Sequence, residues 1–250
     1  GGRVHTKFMT CLIALTQKMS SARIAFAVKT YEFSDLVMSR NYLVSYFLSQ
    51  EEFTHALLLY SDLEFSPDQF FKLLEFDKDF VAAPYADRRV TATVLRRAMN
   101  DAGADGVETN KQMQGLLAKH MSYVVTESFG KTKKHETQWD GDFKTVASVG
   151  TGFMLIKRKV VEDIVANGQA HPLKRTGSLG IYQDAPRFAD FFSHLMTDEK
   201  DAFYGEDQSF CRRWILGCGG DIWVDCRAKV THIGEFSFYG DYTHQSKIDR

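Results

Sequence analysis

The sequence predicts a single α/β domain over residues 1–250, with a mostly parallel central sheet flanked by helices. Three observations lead there. A chain of 250 residues has the length of one large domain. Hydrophobic residues at 44% against 25% charged describe a globular chain, and exclude a disordered, collagen-like or coiled-coil one. Helical and strand-length patterns alternate through residues 4–85, as they do where crossover helices join parallel strands.

Val4, Phe8, Cys11, Leu12, Leu15 and Met19 recur at steps of three and four, which predicts an amphipathic helix over residues 4–19. Residues 23–28 alternate as a short strand. Ser34 is placed to cap a second helix to about residue 49, with Leu36, Val37, Val44, Phe47 and Leu48 on its buried side. The continuous apolar run in residues 55–60 predicts a central strand buried on both faces. Ser66-Pro67 opens a third helix through Leu74, because serine caps well and proline is tolerated at the first helical position. Residues 80–83 read as another short buried strand.

Residues 88–142 break every period and predict loops and short helices over a site. A strand follows at 146–156, then a helix at 158–166 closed by Asn167-Gly168, and a loop at 172–189. Residues 205–216 predict a helix closed by 217–220, and 222–224 a last strand.

With 31 basic and 32 acidic side chains the net charge is -1, so no global field draws this chain to nucleic acid or an anionic membrane. No apolar run reaches the roughly 18 residues of a spanning helix, and the first residues show no secretory pattern. The four cysteines have no framework spacing, so reduced thiols and a cytoplasmic location are expected. Zinc bound by Cys211, Cys218, Cys226 and His232 is disfavoured by their spacing.

Tyr60-Ser61-Asp62-Leu63-Glu64 follows the most apolar strand, where ligands of open α/β sheets bind. Hard oxygen ligands there suit Mg²⁺ or Mn²⁺ with a diphosphate, while a turn at Asp62 and a solvated Glu64 is an equal reading. Gly205-Glu206-Asp207-Gln208 puts carboxylates at a helix start, as caps, as a general base, or as both. His232, alone, reads as a structural histidine and gains meaning only beside Asp62. Gly150 and Gly152 flank Thr151 and would let backbone approach a ligand. No Rossmann fingerprint or phosphate-binding Gly-Lys-Ser/Thr loop occurs. Among the basic pairs, Arg88 and Arg89 follow a strand and are suited to a phosphate.

In combination these pieces resemble the small GT-A glycosyltransferases of viruses and bacteria, a Rossmann-like nucleotide-sugar-dependent family. Ser39-Arg40-Asn41 is similar to the family's Arg-Asn helix, residues 55–67 to its metal strand and D-x-D motif, and residues 149–157 to the segment lining donor and acceptor sugars. Residues 205–214 resemble its acidic helix, and residues 223–234 the strand ending in a metal-binding histidine. The resemblance implies Asp62, Glu64 and His232 as metal positions and Glu206 or Asp207 as the base. It implies Arg40, Asn41, Tyr60, Ser61, Arg88, Gly150 and Gly152 on the donor side. Tyr60 stands where the family has its first Asp, and the family's first strand is expected before Gly1.

The implied activity is metal-dependent, inverting transfer of a hexose or pentose from a nucleotide-diphosphate sugar, with UDP-sugar favoured, to a hydroxyl acceptor. Tyr123, Phe129, Trp139 and Phe143 offer rings that stack on sugars, which favours a glycan over nucleic acid as acceptor. Lys131, Lys133, Lys134 and His135 are the counterweight. The alternatives are a non-catalytic nucleotide- or sugar-binding module, for which Tyr60 argues, and a nucleotidyltransferase, which needs a glycine- and lysine-rich loop that is missing.

Overall fold

A computed structural model describes residues 4–103, 106–128, 136–173 and 184–234. The lysine cluster at 131–135, Phe129, and the positions before residue 4 lie outside these residues.

The chain opens with α1 (Thr6–Ser21), which buries Phe8 and Leu15. The predicted strand at 23–28 does not form; residues 24–33 have no regular structure, with Phe26 and Val28 exposed. Alternation alone did not suffice there, because a strand needs a hydrogen-bonded neighbour. Helix α2 (Leu36–Ser49) starts one residue later than expected, its N-cap being Asp35, whose side chain accepts from the Met38 N–H. Strands β1 (His55–Leu59) and β2 (Leu63–Glu64) precede α3 (Pro67–Phe76), which is capped by Ser66 with Pro67 in its first turn.

After β3 (Phe80–Ala82) the irregular region contains two helices of 11 residues each, α4 (Ala92–Ala102) and α5 (Asn110–His120), packed on each other. Short strands β4 (Val125–Thr126), β5 (Trp139–Asp140) and β6 (Phe143–Thr145) follow. The strand expected at 146–156 is broken in two, β7 (Ser148–Val149) and β8 (Phe153–Lys157), by a turn at 150–152. Helix α6 (Arg158–Ala166) and helix α7 (Glu206–Arg212) come next, α7 continuing into a π-helical turn at Arg213–Gly217. Strands β9 (Trp223–Asp225) and β10 (Thr231–His232) end the described chain.

The six-stranded sheet has the order β1-β8-β3-β9-β6-β5, and of its pairs only β3 with β9 is parallel. This corrects the expectation of a mostly parallel, Rossmann-like sheet. The reversed strand β8 lies between β1 and β3, so β1, expected at the centre, is an edge strand of this sheet. A strand buried on both faces reads as an apolar run whichever way it points, so the sequence pattern carried no direction.

Two-face burial is clear in β8, where Phe153 and Leu155 join a core with Phe8 and Leu15 of α1 and Phe70 and Leu73 of α3. Met154 and Ile156 join the opposite core with Val44 and Phe47 of α2, Val160 and Ile164 of α6, and Phe210 of α7. Helices therefore cover both faces. The arrangement brings the buried side of α2 and the start of α7 to the turn between β7 and β8.

Candidate active site

Helix α2 points Arg40 inward, with its side chain only 5% exposed. One nitrogen, Nη1, donates to both Glu206 Oε1 at 2.8 Å and Asp207 Oδ1 at 2.7 Å, in the first turn of α7. The guanidinium lies against the rings of Tyr60, 5.2 Å to the centroid, and Phe192, 5.7 Å. Its Nε and Nη2 are buried without a hydrogen-bond partner among the described residues. Burial pushes the Asp207 carboxyl above its usual range, with Arg40 and the Thr151 hydroxyl pulling the other way. A carboxylate on a cleft wall whose affinity for a proton is raised by burial is a candidate general base.

Gly150-Thr151-Gly152 forms the turn that breaks the predicted strand. Thr151 is fully buried and its hydroxyl donates to Asp207 Oδ1 at 2.7 Å. The Tyr60 hydroxyl, at the end of β1, is 2.9 Å from Thr151 Oγ1. Both glycines are crowded by a neighbouring ring, and Gly150 also lines the cleft described below. A Cβ on Gly150 would stand 2.2 Å from the Tyr85 hydroxyl, and one on Gly152 2.8 Å from the same ring. Tyr85 is buried and its hydroxyl accepts from the Gly152 N–H at 3.2 Å.

The expected metal residues meet only in part. Strands β2 and β10 pair antiparallel, with Leu63 opposite His232 and Glu64 opposite Thr231, and the Ile233 N–H donates to the Asp62 carbonyl at 2.8 Å. This ribbon sets His232 Nε2 3.4 Å from Asp62 Oδ2. The Nδ1 atom of His232 donates to the Ala86 carbonyl at 3.0 Å, which orients the ring with Nε2 toward Asp62. That Nε2 is buried and has no hydrogen-bond partner among the described residues. An unpartnered imidazole nitrogen beside a carboxylate oxygen is a donor pair that fits a divalent metal.

Arg88 Nη1 sits 2.8 Å from the same Asp62 oxygen and supplies positive charge there. Glu64 does not fit. Its neighbour Leu63 shares a face with His232, so Glu64 points to the other side, where it pairs with Lys7 at 2.7 Å. Among the described residues no group of three His, Cys, Asp or Glu side chains gathers as a metal site.

Tyr85 joins the two corners, its ring 6.0 Å from Tyr60 and 5.0 Å, edge to face, from the imidazole of His232. A cleft of about 460 Å³ opens beside them, lined by Asp87, Arg89, Tyr123, Glu206, Asp207 and Gln208 among others. Its size is that of a small-molecule site. Of the rings expected to stack on sugars, Tyr123 lines this cleft, while Phe143 is buried against Phe76 in the core and Trp139 lies exposed on the far edge strand.

Two donor-side expectations change. Asn41 is buried, its Oδ1 accepts the N–H groups of Phe191 and Phe192, and its Nδ2 donates to Asp190, so it anchors a loop. Ser61 is exposed, and its carbonyl accepts from the His5 N–H. Thr151 and Tyr85 are contacts that the sequence reading did not single out. Thr151 lay between two glycines already selected, and its hydroxyl was the available signal; Tyr85 carried none beyond following β3.

No family model matches the chain, and no curated protein is similar to it. Among solved structures the chain is similar to A197 from STIV, at 13% identity, over 96% of this chain and 93% of that one, with a TM-score of 0.40. At that score the likeness carries no argument about activity. No described helix is long and apolar enough to cross a membrane.

Proposed function

We propose that the chain is a cytoplasmic glycosyltransferase of the nucleotide-sugar-dependent kind its motifs resemble, moving a sugar from a nucleotide-diphosphate donor to a hydroxyl on a glycan or similar acceptor. The observation that supports this most is Asp207, a carboxylate held by Arg40 and Thr151 in the wall of a polar cleft. Its environment raises its affinity for a proton, as a base for a hydroxyl needs. Asp207 takes the proton of the acceptor hydroxyl as that oxygen bonds to the anomeric carbon. The bond from that carbon to the diphosphate oxygen breaks, the nucleoside diphosphate leaves with the electron pair, and direct displacement inverts the centre.

Arg89 on the cleft rim and Arg88 next to it are placed to attract the diphosphate. Asp62 and His232 are the residues that would hold a Mg²⁺ or Mn²⁺ ion, which when bound neutralises charge on a departing diphosphate. Three carboxylates, Asp87, Glu206 and Asp207, line the cleft against Arg89, a balance that favours a neutral polyhydroxyl acceptor over a polyanion. Calorimetry with UDP tests the donor half. Binding strengthened by Mn²⁺ is the expected result, and no binding of any nucleoside diphosphate with or without the ion would count against the reading.

A further inference from the structure

Tyr60 is the residue at which the sequence departs from the resemblance, and its hydroxyl meets the hydroxyl of Thr151. The direction of each hydrogen bond in that group follows from counting protons. An ionised carboxylate only accepts, so the single hydroxyl proton of Thr151 lies on the 2.7 Å bond to Asp207 Oδ1. Thr151 Oγ1 must then accept in its 2.9 Å contact with Tyr60, which makes the tyrosine the donor. Both side-chain donors to Asp207, Thr151 and Arg40, fall on Oδ1. No described side chain donates to Oδ2, the Thr151 backbone also hydrogen-bonds to the carboxylate, and Asp207 lines the cleft.

We infer that Tyr60 and Thr151 are positioning residues for Asp207: a two-hydroxyl chain, Tyr60 to Thr151 to Asp207, fixes one carboxylate oxygen so that the other faces the acceptor. The inference rests on Asp207 being the base of the proposed transfer. The chain has no slack, because Thr151 is buried in a turn whose flanking glycines are crowded by Tyr85. Tyr60 is fixed in turn by its backbone N–H, which donates to the Gly152 carbonyl at 2.9 Å. The other groups around Asp207 are Arg40 from α2, Glu206 and Cys211 on α7, and Tyr85 after β3. All of them remain when either hydroxyl of the chain is removed.

Removing a donor to the ionised form raises the pH at which a carboxylate loses its proton. Thr151→Val and Tyr60→Phe are therefore expected to lower kcat roughly tenfold or more through lost positioning. The KM for the donor is expected to stay within about twofold, since positioning of the base acts in the transition state. The acid limb of the rate profile should move to higher pH, and Thr151→Ser should restore the parent profile.

Asp207→Asn in the same assay separates the two claims. If it turns over at the parent rate, the base reading fails. If it is inactive while Thr151→Val and Tyr60→Phe keep the parent kcat and acid limb, the positioning inference fails and the base reading stands. A carbon-13 titration of the Asp207 carboxyl needs no turnover. A higher titration point in both variants than in the parent supports the chain, and unchanged titration in both overturns it.

Discussion

Arg40 and Asp207, on helices far apart in the chain, form a 2.7 Å ion pair in which the guanidinium is almost wholly buried and the carboxylate faces a cleft. The same nitrogen also holds Glu206, so one cation balances two acidic groups at the start of α7. Breaking such a pair from the cationic side leaves uncompensated charge. Arg40→Ala should therefore cost about 3 kcal/mol in denaturant unfolding, whereas Arg40→Lys should cost less.

Asp207→Asn keeps the shape of the site and removes its proton acceptor. The expected outcome is unchanged donor affinity by calorimetry and a loss of transfer of roughly a hundredfold or more. Because burial raises the carboxyl above its ordinary range, the parent rate should fall as the solution is acidified, at a pH above that of an ordinary aspartate. Equal loss of donor binding and transfer would identify Asp207 as a helix cap instead.

Asp62→Ala and His232→Ala should each remove the effect of Mn²⁺ on nucleoside diphosphate binding, while Glu64→Ala should leave it as in the parent. The contrast follows from the ribbon register, which puts His232 across from Leu63 and sends Glu64 to the opposite side. Loss of the Mn²⁺ effect in Glu64→Ala alone would show that the metal is held elsewhere.

Asn41→Ala should destabilise the fold without touching the chemistry. It strips partners from the buried N–H groups of Phe191 and Phe192, at a cost of about 2–3 kcal/mol in chemical unfolding. Nucleotide binding by the folded variant should match the parent.

Much of the local structure was legible because it depends on neighbours in sequence. Ser66-Pro67 started a helix as its capping chemistry requires, and the run at 153–157 formed a buried strand. The direction and order of strands was not legible. Whether β8 runs beside β1 or against it depends on how the chain returns after about ninety intervening residues, and apolar runs do not encode that. The same limit separates Arg40 from Asn41. Both are buried on α2, but one faces α7 and the other a loop, a difference fixed by tertiary packing. The two glycines at 150 and 152 announced a close approach, and only the fold shows that what approaches is Tyr85.

Release of nucleoside diphosphate from a panel of nucleotide sugars, measured for the parent and Asp207→Asn with Mn²⁺ and a glycan acceptor mixture, tests the central claim most directly. The proposed chemistry predicts acceptor-dependent release from at least one donor by the parent and a loss of roughly a hundredfold or more in the variant. Release by neither protein from any donor, or equal release by both, would contradict it.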